Sequence, residues 1–286
     1  LLGAILETAP NIKLVATSRE RLNLRLETVY YLEPVANDAD RLFIETAQMM
    51  HSRVQIGEED APDVARIVQL VGGMPLGLLL AATWADLLSV REIADEIEQN
   101  IAFLSAELGD MPARQRSIIA VIDPTWKRLN EIEQRAFMCA SLFRGGFTRQ
   151  MFQQMTGDSV RMLQKLMERS LLMPGYQRRY DMHPLLRQYA YEKMQEMGLL
   201  HEAHTAHLHT FAEYAVKWRV AMFDGQYLEA LAALETEQEN FRAAMDWAFA
   251  GQHVVEGTQL AVDLCEFWEV RSHSYEGEYY MTRAVD

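Results

Sequence analysis

Only two cysteines, Cys139 and Cys265, occur in the 286 residues, and they lie far apart in apolar helical patterns. That excludes a disulfide framework and any zinc spacing, and it suits reduced thiols in a cytoplasmic protein. Positive charge is also scarce: 27 Lys and Arg stand against 41 Asp and Glu, a formal net charge of −14. Holding a nucleic-acid backbone takes clustered Lys and Arg, so only a local basic patch leaves room for that role. Long apolar runs are missing too. The longest, residues 74–88, contains Asp86, and crossing a bilayer takes about 20 apolar residues. No basic start leads into an apolar signal core. What remains is an ordinary globular composition, 49% hydrophobic and 24% charged, on a chain long enough for two or three compact domains.

Near the start, Ile12 to Thr17 is a short apolar run with the look of a buried strand, and Thr28 to Leu32 is a second. Two strands and a helix remnant at residues 1–6 cannot cover both faces of a parallel sheet, so the chain reads as starting inside a domain. Arg19, at the carboxyl end of the first strand, suits either a phosphate or a surface ion pair. Asn37 or Asp38 caps a helix with Leu42, Phe43, Ala47 and Met50 inward, and another begins at Pro62 with Val64, Ile67, Val68 and Val71 on one face. Gly72 and Gly73 stop it. A helix apolar nearly all round follows from Pro75, then a fourth at 90–99 with Ile93 and Ile97. Paired glycines before a helix-starting proline let a flat ligand approach the backbone, or simply stop one helix and start the next.

Residues 110–112 read as a linker and 114–123 as a short helix. Asn130 with Glu133 resembles a capping box ahead of Ile132, Ala136, Ala140 and Phe143, with Leu129 on the same face. Helices near 148–156 and 158–169 precede a hairpin whose Pro174–Gly175 pair is the signature of a type II turn. Three helices, a hairpin and a following helix make a winged-helix domain, with Arg178, Arg179 and Arg187 as a basic cluster that reads first as a solvated face. The following helix opens on Pro184, which places His183 at a helix N-terminus, where partial positive charge and unpaired N–H groups favour an anion. Read alone, His183 is either a phosphate contact or a junction histidine that caps and packs.

Everything from His201 is helical. His201, His204 and His207, three residues apart, lack the carboxylate partners of a metal site and read as a polar helix face. Beyond Gly225, stripes at Leu228, Leu231 and Leu234, at Phe241, Ala244, Met245 and Ala248, and at Leu260, Leu264, Phe267 and Trp268, with turns at Gly251 and Gly277, look like stacked helical repeats.

The succession KLVATSRERL (13–22), GGMPLGL (72–78), RGGFTRQ (144–150), YDMHPLLRQYA (180–190) and LETEQENFRAAMDWA (234–248) resembles the signal-transduction ATPases with numerous domains, the STAND class, which includes NB-ARC proteins. Within it the chain is most similar to AfsR-like and LuxR-type bacterial regulatory ATPases, essentially from end to end. This resemblance implies a mainly α chain: the C-terminal edge of a P-loop α/β nucleotide-binding domain (1–34), a four-helix bundle (35–108), a winged helix (112–198) and the start of a TPR-like superhelix (199–286).

It further implies the C-terminal regulatory part of an ADP/ATP switch in a transcriptional regulator. Arg19 falls on the sensor arginine that reads the γ-phosphate, Gly73 and Pro75 on the GxP motif whose proline packs against adenine, and His183 on the histidine that contacts the β-phosphate of ADP. The aspartate that follows this histidine in the family is Pro184 here, so the carboxylate of that locking interaction is absent at this position. No GxxxxGK[ST] occurs, so the phosphate cradle, the Mg²⁺ ligands and the water-activating residue are expected upstream. No catalytic or metal-binding residue is assigned, and this stretch alone is not expected to hydrolyse ATP. The implied partners are an upstream P-loop half-domain, an inducer (protein or small molecule) on the repeats, and further copies of the protein when active. DNA would be reached only through a separate effector domain, and no membrane is involved. Two alternatives stand beside this: a DNA-binding winged helix using Arg178 and Arg179, and an interaction scaffold with a decayed nucleotide site.

Overall fold

The structure, a computed structural model, describes residues 38–106, 112, 116–251 and 253–284, with residues 5, 8, 9, 11–17, 22, 24, 25, 27, 28 and 30 of the opening segment. The chain falls into two compact units, residues 1–121 with 164–172, and residues 122–163 with 173–286. Among the described residues the fold is mainly α, with one two-stranded sheet.

In the first unit, α1 (Ala39–Met50), α2 (Ala61–Leu70), α3 (Pro75–Ala82) and α4 (Val90–Gln99) follow the expected order. α1 starts after Asp38 and buries Ala39, Phe43, Thr46 and Ala47; the Asp38 side chain makes no cap bond, and Met50 is exposed instead of inward. α3 is apolar on every side because it is the interior helix, with Leu78, Leu80, Ala81 and Ala82 at 0% exposure. α4 opens on a reciprocal capping box in which Ser89 N–H donates to Glu92 at 2.8 Å and Glu92 N–H donates to the Ser89 hydroxyl at 3.3 Å. Its Ile93 and Ile97 are buried as the pattern predicts. Arg66 of α2 ties the two helices through Asp95 at 2.6 Å and through Glu98.

The opening segment differs from expectation. Residues 12–17 belong to no strand and are exposed, Val15 by 97%. A strand persists only with ladder bonds to a neighbour and a covered face, and the described residues supply neither. The second expected strand, 28–32, lies partly outside the described residues; Thr28 and Tyr30 are in no strand.

α5 (Ile118–Trp126) and α8 (Val160–Glu168) contribute residues to both units; the second unit adds α6 (Glu131–Ala140), α7 (Arg149–Thr156), β1 (Met173–Pro174), β2 (Tyr180–Asp181) and α9 (Pro184–Glu196). The capping box of α6 is present, with Glu133 N–H donating to Asn130 Oδ1 at 2.9 Å and Asn130 N–H donating to Glu133 at 3.2 Å. Because Glu133 folds back to cap, it takes the inward side, and the buried stripe runs through Glu133, Ala136, Phe137 and Ala140 while Ile132 is 63% exposed.

The hairpin also differs. Pro174 sits inside β1, paired with Tyr180, and the chain reverses one step later through Tyr176–Arg178, with Gln177 and Arg178 at φ 54° and 62°. Phe147 exchanges both backbone bonds with Tyr180, at 2.9 and 2.8 Å. β2 therefore lies between Phe147 and β1, and Pro174 is on an edge, where its missing N–H costs no ladder bond.

Five helices complete the second unit: α10 (Leu200–Phe223), α11 (Tyr227–Thr236), α12 (Gln238–Ala250), α13 (Val254–Val270) and α14 (Ser274–Arg283). α10 packs against α11, α12 and α13, and α13 against α12 and α14. The predicted stripes of α12 and α13 are buried; that of α11 shifts to Ala230, Leu231 and Leu234, leaving Leu228 79% exposed. Gly277, expected in a turn, lies within α14, where a Cβ would stand 3.2 Å from the Trp268 ring. Its role is close helix packing; the turn before α14 is made at Ser272, φ 61°.

Candidate functional site

Of the four residues assigned to a nucleotide, Arg19 lies outside the described residues, Gly73 and Pro75 are in the first unit, and His183 is in the second. Gly72 and Gly73 adopt φ 59° and 64°, with Gly73 N–H donating to Val68 O at 2.9 Å and Gly72 N–H to Gln69 O at 3.1 Å. This pair of bonds is a Schellman motif ending α2, and it accounts for a residue of left-handed backbone there. Met74 then turns extended and Pro75 opens α3 at N1, exposed to solvent.

His183 is the N-cap of α9. Its Nδ1 accepts the Leu185 N–H at 3.3 Å, and its carbonyl accepts the Arg187 N–H at 2.9 Å. With Nδ1 accepting, the neutral ring carries its proton on Nε2. The arm before it is held by Asp181, whose Oδ1 accepts from Met182 N–H and from Arg187 Nη2, both at 2.7 Å, while Met182 is buried. His183 thus stands at the positive end of a 13-residue helix, the end of a helix that favours an anion.

Three of the distinctive stretches meet a few residues away. Arg179, next to β2, forms a two-point ion pair with Glu237: Nη1 to Oε1, and Nη2 to Oε2 at 3.0 Å, with side chains 12% and 1% exposed. Arg179 Nη2 also donates to Gly146 O at 2.9 Å. Asn240, fully buried, donates to Glu237 Oε2 at 2.7 Å and to Gly146 O at 3.3 Å, and its Oδ1 accepts the Arg144 N–H at 2.6 Å. Of the arginines read as a solvated basic face, only Arg178 is exposed; Arg179 is half-buried and paired with Glu237, and Arg187 is paired with Asp181. The sequence did hold a signal: Glu237 and Asn240 interrupt the apolar pattern between Leu234 and Phe241, and a polar pair on an inward helix face needs buried partners.

The histidines of α10 are packing groups. His204 stacks on Trp247, 5.3 Å between ring centres and 7° between planes, and His207 lies against Phe143 and Phe211. Burial pushes His204 down to about 4, with Arg144 adding to the effect, and His207 down to about 3, with His204 adding to it. No group of three or more His, Cys, Asp or Glu among the described residues is placed to hold a metal ion. A cavity of about 380 Å³ between α6, α7, α9 and α10 is lined by Cys139, Met155, Asp158 and Met194, with the Arg135–Glu202 ion pair on its wall. Burial raises the Cys139 thiol to about 11, which keeps it unreactive.

No family model matches the chain. A Mycobacterium tuberculosis protein named "Putative HTH-type transcriptional regulator" is 27% identical over 289 residues, covering 97% of this chain and 32% of the relative. A Mycobacterium bovis protein of the same description matches to the same extent. An uncharacterized Mycobacterium tuberculosis protein is 25% identical over 215 residues, 69% of this chain and 54% of its own. The chain thus spans about a third of the length of the first two relatives. Among the described residues no helix is long and apolar enough to cross a membrane.

Proposed function

We propose that the chain is the regulatory part of a nucleotide-dependent switch of the STAND class within a transcriptional regulator, resting with ADP and activated by exchange for ATP. The observation that carries this reading is the position of His183: an imidazole at the N-cap of the 13-residue helix α9, beside that helix's positive end, with its Nδ1 accepting the Leu185 N–H. A helix N-terminus favours an anion, and a diphosphate oxygen is the anion the resemblance places there. The names of the mycobacterial relatives support the regulatory role. The reading assigns the adenine face to Gly73 and Pro75 and the γ-phosphate to Arg19, with Mg²⁺ and the P-loop supplied by an upstream half-domain.

Moving such a switch from one state to the other takes differential binding of about 5.5 kcal/mol, within the range of a few charge-assisted hydrogen bonds. An inducer on the helices after residue 199 would supply part of it. Direct DNA reading by the hairpin is disfavoured, because Arg179 and Arg187 are already engaged by carboxylates and only Arg178 is exposed. The test is the nucleotide carried by the protein extended upstream through its P-loop, released by denaturation and identified by chromatography. Stoichiometric ADP in the wild type and its loss in His183→Ala support the reading; no nucleotide in either refutes it and favours the scaffold alternative.

A further inference from the structure

We propose that the Arg179–Glu237–Asn240 network is a latch through which the corner between α11 and α12 sets the position of His183. Its meaning for signalling rests on the nucleotide reading of His183; its geometry does not. Glu237 is the single residue between the two helices, C-cap of α11 and N-cap of α12. A change in the angle between those helices therefore displaces its carboxylate before anything else. That carboxylate grips both Nη atoms of Arg179, and Arg179 is four residues before His183.

The intervening backbone has little freedom to absorb a displacement. Tyr180 is paired on both bonds with Phe147, and Asp181 fixes Met182 and Arg187. A shift of Arg179 thus passes to the N-cap of α9. On the other side of Arg179, Gln177 and Arg178 are held in left-handed backbone, which L residues adopt only where surrounding contacts impose it. Arg179 closes that turn through its backbone, its carbonyl accepting the Gly175 N–H at 2.8 Å and its N–H donating to Tyr176 O at 3.1 Å.

A buried ion pair is also the appropriate material. Apolar residues of similar volume would hold these elements as firmly or more so, whereas a forked charge pair is satisfied in one register and costly in any other. Arg179 Nε is buried with no partner among the described residues.

The experiment compares Glu237→Gln and Asn240→Asp with wild type, reading amide exchange at Tyr180 and Leu185 and the ring nitrogen resonances of His183 by NMR. Opening of the latch predicts exchange at both amides at least tenfold faster, with α13 amides unchanged, and a shift of the His183 ring from one tautomer to a mixture. Arg178→Gln, at the exposed neighbour, should alter neither. Arg179→Lys, which keeps the charge and loses the fork, serves if either variant fails to fold and should give an intermediate acceleration. If His183 and both amides keep wild-type behaviour in the variants, the latch is overturned even where ADP binds. If they loosen while the wild-type protein binds no nucleotide, the latch stands and the nucleotide reading falls.

Discussion

Arg179 and Glu237, 58 residues apart in sequence, share a two-point ion pair from which water is nearly excluded. Removing one partner leaves the other charge buried and unpaired, so Glu237→Ala should destabilise the chain by about 3–5 kcal/mol. Replacing both, as Arg179→Met with Glu237→Leu, should recover most of that loss, because the cost lies in the stranded charge. Urea denaturation of the two single variants and the double variant checks this, and an additive double variant would contradict it.

The adjoining glycines differ in a way that substitution will expose. Gly145 and Gly146 both have positive φ, 68° and 81°, but a Cβ on Gly145 meets nothing within 4 Å, whereas one on Gly146 would stand 2.8 Å from Tyr180 O. Gly145→Ala should cost only the backbone term, about 1–2 kcal/mol. Gly146→Ala adds a clash with the backbone of β2 and should cost clearly more. Paired thermal melts decide it.

Stability should fall on mild acidification. His204 and His207 are held down to about 4 and about 3 in the folded chain by burial, whereas an unfolded histidine titrates at about 6.5. The unfolded state then binds more protons below that pH, so stability rises with pH across the window. The contribution is fully present above about 6.5 and is lost as pH falls toward the folded values. Urea midpoints at neutral pH and at about pH 5 should differ less in His207→Leu than in wild type; an unchanged difference would contradict the assignment.

Elements whose cues are local were legible in the sequence. The capping box at Asn130–Glu133 and the buried stripes of α12 and α13 depend on residues three or four apart, and Pro184 at N1 fixed the place of His183. Cues that depend on distant partners misled. Residues 12–17 have strand composition and no strand to pair with, and Pro174–Gly175 has turn composition although Phe147 makes β1 an edge. Arg179 had the look of a surface charge because its partner is 58 residues away.

His183 is proposed to contact a nucleotide phosphate, and one substitution separates that role from capping. Asparagine caps helices as well as any residue, so His183→Asn should preserve the first turn of α9, while His183→Ala should lose about 1 kcal/mol of stability. The decisive measurement is ADP affinity of the P-loop-extended protein, by calorimetry, for wild type and His183→Asn. Equal stability with ADP binding weakened about tenfold or more, the loss of roughly one charge-assisted hydrogen bond, is the predicted result. Equal stability with unchanged affinity would make His183 a cap alone and contradict the account.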